Sequence, residues 1–557
     1  MATFLTIDDQ LSGVLSRAVA RLDAASGAAL PEAAYRWEMP KEAAFGDLSA
    51  SIAFKLAGPM KQAPPALAQR LADVFVGCCR DEGFGGWIKR VEPRGGFLNI
   101  FLSADALAQV MRDVLRLKER YGRREVASAP SINIEFVSAN PTGPLSVAHG
   151  RQAAVGDVLA RLFRAQGWKA TTEFYLNDEG NQIELLGASL RARCAQALGR
   201  EEAVPPEGYQ GEYLVELAQR LRQREGEALL NRPTSWFTDE AMREQLAQIK
   251  ADLARFGLTF DEWTSQQWLS RSGRLERSLE ALRARGVIYE ADEAVWFRST
   301  EFGDDKDRVV RKRDGEWTYL APDIAYHQWK AERGYDQLLN LWGPDHHGYI
   351  ARVKAAMAAL GLTAERLTVK IVQLVTLSRG GKAVPMSKRQ GHFVTFREIL
   401  DEVGVDATRF FYLMRTMESH LDFDLDLAKS QSQENPVYYV QYAHARICSI
   451  LAKDRLPFWT TWRPRLAQLR EPDEQLLMRM LFQYPIVIRL CAAAFEPHGM
   501  TGYLRRLAEQ FHVFYTKHRV LGEAPAVSAA RLALVRATRQ VLENGLGLLG
   551  IGAPKRM

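Results

Sequence analysis

A chain of 557 residues is long enough for three or four domains of about 150 residues each, which excludes a small binding module. With 47% hydrophobic and 25% charged residues its composition is that of an ordinary globular protein, and no apolar run reaches the roughly 18 to 20 residues of a membrane span, so a soluble chain without membrane contact is expected. The net charge of +6 is unevenly spread: residues 431–557 hold 17 Lys and Arg against 9 Asp and Glu, an excess of +8 that leaves −2 elsewhere. Such a basic segment suits a polyanionic partner or, equally, a solvated helical surface.

The N-terminus MATFLTIDDQ carries acids early and lacks a basic stretch before an apolar core, so no secretory or transit signal is read and a cytoplasmic location is expected. The five cysteines, Cys78, Cys79, Cys194, Cys448 and Cys491, are odd in number and scattered, without CxxC spacing. They are expected to be reduced and mostly buried, with no disulfide framework and no zinc site.

Residues 1–125 carry helical patterns at the start and around 64–80, then the strand-like GFLNIFL at 96–102 leading into a further helix, which predicts a small α+β domain. From 131 the pattern becomes α/β. SINIEFVS supplies apolar Ile132, Ile134 and Phe136, and a turn leads to a helix with Val155, Leu159, Leu162 and Phe163 on one stripe. The strand candidate KATTEFYL follows. This succession predicts a parallel sheet, interrupted between about 185 and 285 by a charged helical insertion and resumed at LLNLW and VKIVQLVTL.

Beyond 431 strand signals vanish and helical stripes take over: Leu477, Leu481, Tyr484, Ile488; Leu504, Leu507, Phe511, Phe514; Leu534, Thr538, Val541, Leu542. The three domains expected are therefore 1–125, 126–430 and 431–557. GLGLLG at 545–550 fits a dinucleotide-binding spacing but follows a helix and has no room for another, so Asn544 and Gly545 are read as a helix C-cap.

Two segments carry chemistry. In EFVSANPTGPLSVAHGRQAAVGD, Glu135 to Asp157, a strand passes through a Pro and Gly turn into a helix N-terminus, whose free N–H groups and dipole form an anion site. His149, one turn in, can donate to a phosphate or act as a capping or core residue. In SRGGKAVPMSKRQGHFVTF, Ser378 to Phe396, a glycine-rich loop brings Lys382, Lys388 and Arg389 together; such a run suits a pyrophosphate or a solvated surface.

These segments, about 240 residues apart on one α/β domain, resemble the two signatures of class I aminoacyl-tRNA synthetases. The blocks FVSANPTGPL, YLNDEGNQI, FGDDKDRVV, TYLAPDIAYH, WGPDHHGYIARVKAA, MSKR, GVDATRFFYLMR, HLDFDLDLA, NPVYYVQYAHARI, FHVFYTKHRVL and APKRM resemble bacterial arginyl-tRNA synthetases from end to end. The resemblance implies a Rossmann-type catalytic domain, an N-terminal α+β domain that meets the tRNA elbow and an all-α anticodon-binding bundle. It further implies a monomeric arginine–tRNA ligase with arginine, ATP and tRNA(Arg) as partners and Mg²⁺ accompanying the nucleotide.

A guanidinium requires carboxylates in a fixed place. By resemblance Glu135, Asn140, Tyr319 and Asp323 hold the arginine; the first two leave one strand end, and the last two lie a turn apart at a helix start. Gly143, Ala148, His149, His346, His347, Met386 and Lys388 are implied at ATP, with Ser146, His149, Ser387 and Lys388 as the catalytic set. Asn99 and Phe101 are implied at the D-loop, and Tyr439, Tyr442, Tyr515 and Met557 at the anticodon, where aromatics stack on unpaired bases.

The family's His-x-Gly-His stands here as Ser146, Val147, Ala148 and His149, and Pro385 replaces the first lysine of the KMSK loop. Ser146 is expected to cap the helix and offer a hydroxyl to phosphate, and the Ala148 methyl to crowd the base. An ATP-dependent ligase and a non-catalytic tRNA-binding relative are thus the two classes to separate. The retained arginine-pocket residues and Lys388 favour the ligase.

Overall fold

The computed structural model describes residues 5–26, 35–384, 394–457 and 464–557. The chain divides into two compact units, one of Met1–Ser128, Ala165–Gly167 and Ser432–Met557, the other of Ala129–Arg164 and Trp168–Gln431.

The first unit opens with α1 (Ile7–Ser26), β1 (Leu48–Ala50), α2 (Ile52–Met60), α3 (Pro64–Asp81), β2 (Ile88–Arg94), β3 (Phe97–Leu102) and α4 (Ala104–Leu117). Pro64 starts α3 at a position whose N–H has no helical partner to lose. The Ser103 hydroxyl caps α4 by accepting from the Ala106 N–H at 3.2 Å. The predicted strand is β3, the centre of an antiparallel sheet ordered β1-β3-β2. Its partners lack a clear apolar signal, β1 for its three residues and β2 for its polar IKRVEPR.

The second unit runs through β4 (Ser131–Glu135), α5 (Val147–Ala165) and β5 (Lys169–Leu176), the succession the sequence predicts. Then come α6 (Asn181–Ala197), α7 (Glu212–Glu225), α8 (Thr234–Arg255), β6 (Glu262–Ser265), α9 (Gln266–Arg271) and α10 (Arg274–Ala284). A small antiparallel sheet, β7 (Ile288–Ala291), β8 (Ala294–Phe297) and β9 (Arg308–Arg311), precedes α11 (Leu320–Glu332), β10 (Gln337–Trp342), α12 (Ile350–Ala359) and β11 (Leu367–Ile371).

The central sheet is parallel throughout, in the order β11-β10-β4-β5-β6. Ile132, Asn133, Ile134 and Glu135 are all buried, as befits a strand covered on both faces. The expected insertion at 185–285 needs correction, because Glu262–Ser265 inside it is the edge strand β6, paired with β5. The predicted run VKIVQLVTL is two strands, β11 and β12 (Val375–Arg379), the latter in a separate sheet with β13 (Lys382–Ala383) and β14 (Leu421–Asp424). Helices α13 (Phe396–Val403), α14 (Val405–Leu413) and α15 (Leu425–Lys429) complete the unit.

The first unit resumes with α16 (Pro436–Ala452), α17 (Pro472–Ala494), α18 (His498–Lys517) and α19 (Pro525–Leu548). All twelve residues of the predicted stripes are buried. The helix α17 is long and apolar enough to cross a membrane, contrary to the expectation that no such run exists; 67% of its most apolar window lies inside the protein, which makes it a core helix. The C-cap expected at Asn544 and Gly545 lies further on. α19 continues through both and ends at Leu548, where Gly550 at φ +69° lets its own N–H reach Gly547 O and that of Ile551 reach Leu546 O, a Schellman closure. Gly545 serves packing instead, since a Cβ there would meet Leu504 at 2.6 Å.

Candidate active site

Ligands of open parallel sheets bind beyond the carboxyl ends of the strands, where the strand order reverses. Here β4 has β5 and β6 on one side and β10 and β11 on the other. A cavity of about 640 Å³ lies there, lined by Glu135 at the end of β4, Asn177 after β5, Gln266 after β6 and Trp342 and Gly343 at the end of β10. That volume suits a small organic ligand.

Immediately after β4 the backbone makes a γ-turn, the Ser138 N–H donating to Phe136 O at 2.9 Å. Val137 at φ +67° and Ser138 at φ +38° occupy conformations that cost a branched or ordinary residue about 1 to 3 kcal/mol each. The turn brings the Ser138 hydroxyl to Glu135 Oε1, to which it donates at 3.2 Å. Helix α5 packs against the same segment: a Cβ at Gly156 would meet the Phe136 ring at 2.2 Å. Gln152 on α5, with its amide oriented to suit both neighbours, donates to Val137 O and accepts from the Gly343 N–H, each at 3.3 Å, so it staples the turn after β4 to the turn after β10.

The arginine-pocket set expected from the sequence converges. Glu135, Asn140, Tyr319 and Asp323 all line the cavity. Tyr319 is 73% exposed at the entrance to α11, Asp323 is half-buried one turn on, and the Asn140 amide donates to Gln182 Oε1 at 2.7 Å. Glu135 is buried, its Oε2 accepting from Lys330 at 3.0 Å. No cation pairs with the Asp323 carboxylate among the described residues, and burial, then the facing Glu135, push it up to about 7. Two acids just after β5 stand outside the lining and are engaged in structure: Asp178 accepts from Ser265 and from the Gln267 N–H, and Glu179 from Gln266 and Ser270. Asp345, which does line the cavity, is exposed with its Oδ1 3.2 Å from His346 Nδ1.

At the start of α5 the Ser146 N–H donates to His149 Nδ1 at 3.1 Å, with the Ser146 hydroxyl 3.3 Å from the same nitrogen, so the neutral ring carries its proton on Nε2. Gly143, Ser146, His149 and His346 line the cavity. Ala148 is half-buried and not among the lining residues, so its methyl does not fill the space. His347 is exposed and also apart from the lining. Pro385, Met386, Ser387, Lys388 and Arg389 lie outside the described residues; Lys382 is exposed on β13. On the near side of that segment the Val384 N–H donates to Leu377 O at 2.8 Å. On the far side Thr395 bridges to Ser146 and the Phe396 N–H donates to Leu145 O at 2.7 Å.

Several residues of this site escape a reading of single motifs. Tyr209 and Tyr213 reach the cavity from the insertion, and the Tyr213 hydroxyl donates to Thr142 O at 2.6 Å. Arg151, fully buried on α5, donates to Gln373 O, Ser419 O and Thr416 O and so ties the ends of the second unit's loops to that helix. His327 on α11 is pushed down to about 4 by burial and by Lys330; its Nδ1 donates to Asp323 O and its Nε2 accepts from Asn340.

In the first unit, Asn99 is 3% exposed and accepts from Ser49 at 2.8 Å, while the Arg90 guanidinium covers the Phe101 ring at 3.4 Å. Tyr439 and Tyr442 both face His512, Arg446 lies over Tyr442 and Tyr515 at 4.9 and 5.2 Å, and Tyr515 and Met557 are exposed.

Comparisons with known proteins agree along the chain. Residues 110–418 match the family described as the catalytic domain of class I (R) tRNA synthetases, which together with the parallel sheet and its cavity defines a class I aminoacyl-tRNA synthetase. Residues 7–102 match the arginyl tRNA synthetase N terminal domain and 440–557 the DALR anticodon binding domain. The arginine–tRNA ligase of Syntrophotalea carbinolica is 46% identical over 93% of this chain and 94% of its own length, and that of Anoxybacillus flavithermus 43% identical over 98% of each. A solved Campylobacter jejuni structure assigned as an arginyl-tRNA synthetase shares 34% identity with a TM-score of 0.76, covering 82% of this chain and all of its own. The Thermus thermophilus arginyl-tRNA synthetase, at 22% identity, shares the fold with a TM-score of 0.76 over 99% of this chain and all of its own. The chain belongs to the arginyl-tRNA synthetase family.

Proposed function

We propose that this chain is an arginine–tRNA ligase whose cavity seats arginine on Asp323 and Glu135, with Asn140 and Tyr319 completing the pocket. The carrying observation is the Asp323 carboxylate, half-buried on the cavity wall with no cation paired to it among the described residues. A guanidinium supplies what that carboxylate lacks. ATP is assigned to the start of α5, with Gly143, Ser146, His149 and His346 at hand and Mg²⁺ carried in on its phosphates. The arginine carboxylate attacks the α-phosphate in line and pyrophosphate leaves; a terminal ribose hydroxyl of tRNA then attacks the arginyl carbonyl and AMP leaves. No protein nucleophile is required, so positioning and charge carry the rate.

The tRNA is assigned to Phe101 and its neighbours on the N-terminal sheet and to Tyr439, Tyr442, Tyr515 and Met557 on the C-terminal helices, where rings beside Arg446 suit unpaired bases. A monomer acting in the cytoplasm, with catalytic limits near 126–430, completes this reading. Arginine-dependent exchange of pyrophosphate into ATP, with tRNA(Arg) present, tests it; tRNA binding without exchange would leave a non-catalytic relative. The double substitution Ser146→His and Ala148→Gly is expected to raise kcat about tenfold with arginine KM unchanged, through an added donor to the phosphates. An unchanged or lower kcat would mean that Ser146 already fills that role.

A further inference from the structure

Glu135 is held at both oxygens. Ser138 donates to Oε1, and Oε2 takes the ammonium of Lys330, a lysine with no exposed surface, at 3.0 Å. Lys330 also donates to Asn340 Oδ1 at 2.8 Å; the Asn340 amide donates to His327 Nε2 at 2.8 Å, and His327 Nδ1 donates to the carbonyl of Asp323 at 2.8 Å. The bonds run from β4 through β10 to α11, beneath both acids of the pocket. A buried lysine is costly unless paired, and this one serves no step of the reaction above.

We propose that Lys330 is a positioning residue for arginine: it neutralises Glu135 and aims it into the cavity, leaving the neighbouring Asp323 as the uncompensated carboxylate offered to the guanidinium. This rests on the arginine reading and deepens it. The charge count follows. Arginine carries one net positive charge, and Glu135, Asp323 and Lys330 together carry one net negative charge. Without Lys330 two carboxylates would face each other across the pocket, and one would take up a proton that arginine must displace. Among the described residues, the other charged or titratable groups gathered around them include Asp345 and His346 on the cavity lining, Asp178 and Glu179 after β5, Tyr326 on α11, Arg333 just past its end, and Tyr175 and Glu173 on β5. The last is held low, against its burial, by Lys330 and Arg333.

The test is the pH profile of arginine KM in pyrophosphate exchange. For Lys330→Met the KM is expected to rise about tenfold or more at pH 8 with ATP KM within about twofold, and below pH 8 the logarithm of the arginine KM should climb more steeply than in the unsubstituted protein, with the onset about one pH unit higher. A raised KM with the slope and onset unchanged would overturn the assignment, because loosened packing alone does not alter the number of protons displaced. Should Lys330→Met not yield folded protein, Glu135→Gln is compared with the double variant Glu135→Gln, Lys330→Met. With Glu135 neutral, losing Lys330 restores one net negative charge, so arginine KM is expected to stay the same or fall, and a rise of about threefold or more would overturn it. An unsubstituted protein without arginine-dependent exchange removes the arginine reading itself, before any variant is made.

Discussion

Replacing Asp323 by asparagine is expected to raise the arginine KM about 10³-fold while leaving the ATP KM within about twofold. Asparagine keeps the shape of the side chain and one acceptor, so α11 and the hydrogen bond from His327 to the backbone of residue 323 stay in place. What goes is the charge. Glu135 cannot substitute, because its Oε2 is already paired with Lys330. A guanidinium entering the cavity would then be desolvated without a partner, which typically costs 2 to 5 kcal/mol or more. Steady-state exchange kinetics with each substrate varied in turn reads the result. A rise below about tenfold, or an equal rise for both substrates, would place the guanidinium elsewhere.

The pH dependence of arginine binding carries the second large effect. Burial and Glu135 raise Asp323 to about 7, whereas only its carboxylate form can pair with the guanidinium. The sign follows directly: above pH 7 the free protein already holds the carboxylate, and below it arginine must displace a proton. Apparent affinity should therefore fall about tenfold for each unit below pH 7, about a hundredfold by pH 5. His327 does not contribute over most of this range, because burial and Lys330 keep it neutral down to about 4. Calorimetry at pH 6 in two buffers of different ionisation enthalpy should show close to one proton released per arginine bound. A flat affinity profile between pH 6 and 8 would show that Asp323 is ionised in the free protein.

Much of this was legible in the sequence because periodicity and burial coincide. The stripes of α17, α18 and α19 are apolar at helical spacing and are buried; β4 and β5 alternate with α5 as a parallel sheet requires. Glu135 and Asp323 were reached through resemblance, and the cavity brings them together across 188 residues of chain (323 less 135). The edge strand β6 was not legible, since EWTS has no apolar alternation and exists by pairing with β5. Nor was the helix end at Leu548, because Gly545, which packs closely against Leu504 inside the helix, resembles a terminator. The Lys330 network had a signal that went unused. Asp323, His327 and Lys330 are spaced by four and three residues, which puts three polar groups on one face of α11, and that face looks into the sheet.

Citrulline tests the central claim most directly, because it copies the length and shape of arginine but carries a neutral ureido group in place of the guanidinium. A pocket built around an uncompensated carboxylate should discriminate against it by about 10⁴ or more in kcat/KM for pyrophosphate exchange, and citrulline at millimolar concentration should not inhibit the arginine reaction. Discrimination within about tenfold, or competitive inhibition at concentrations near the arginine KM, would contradict the account and with it the role assigned to Asp323.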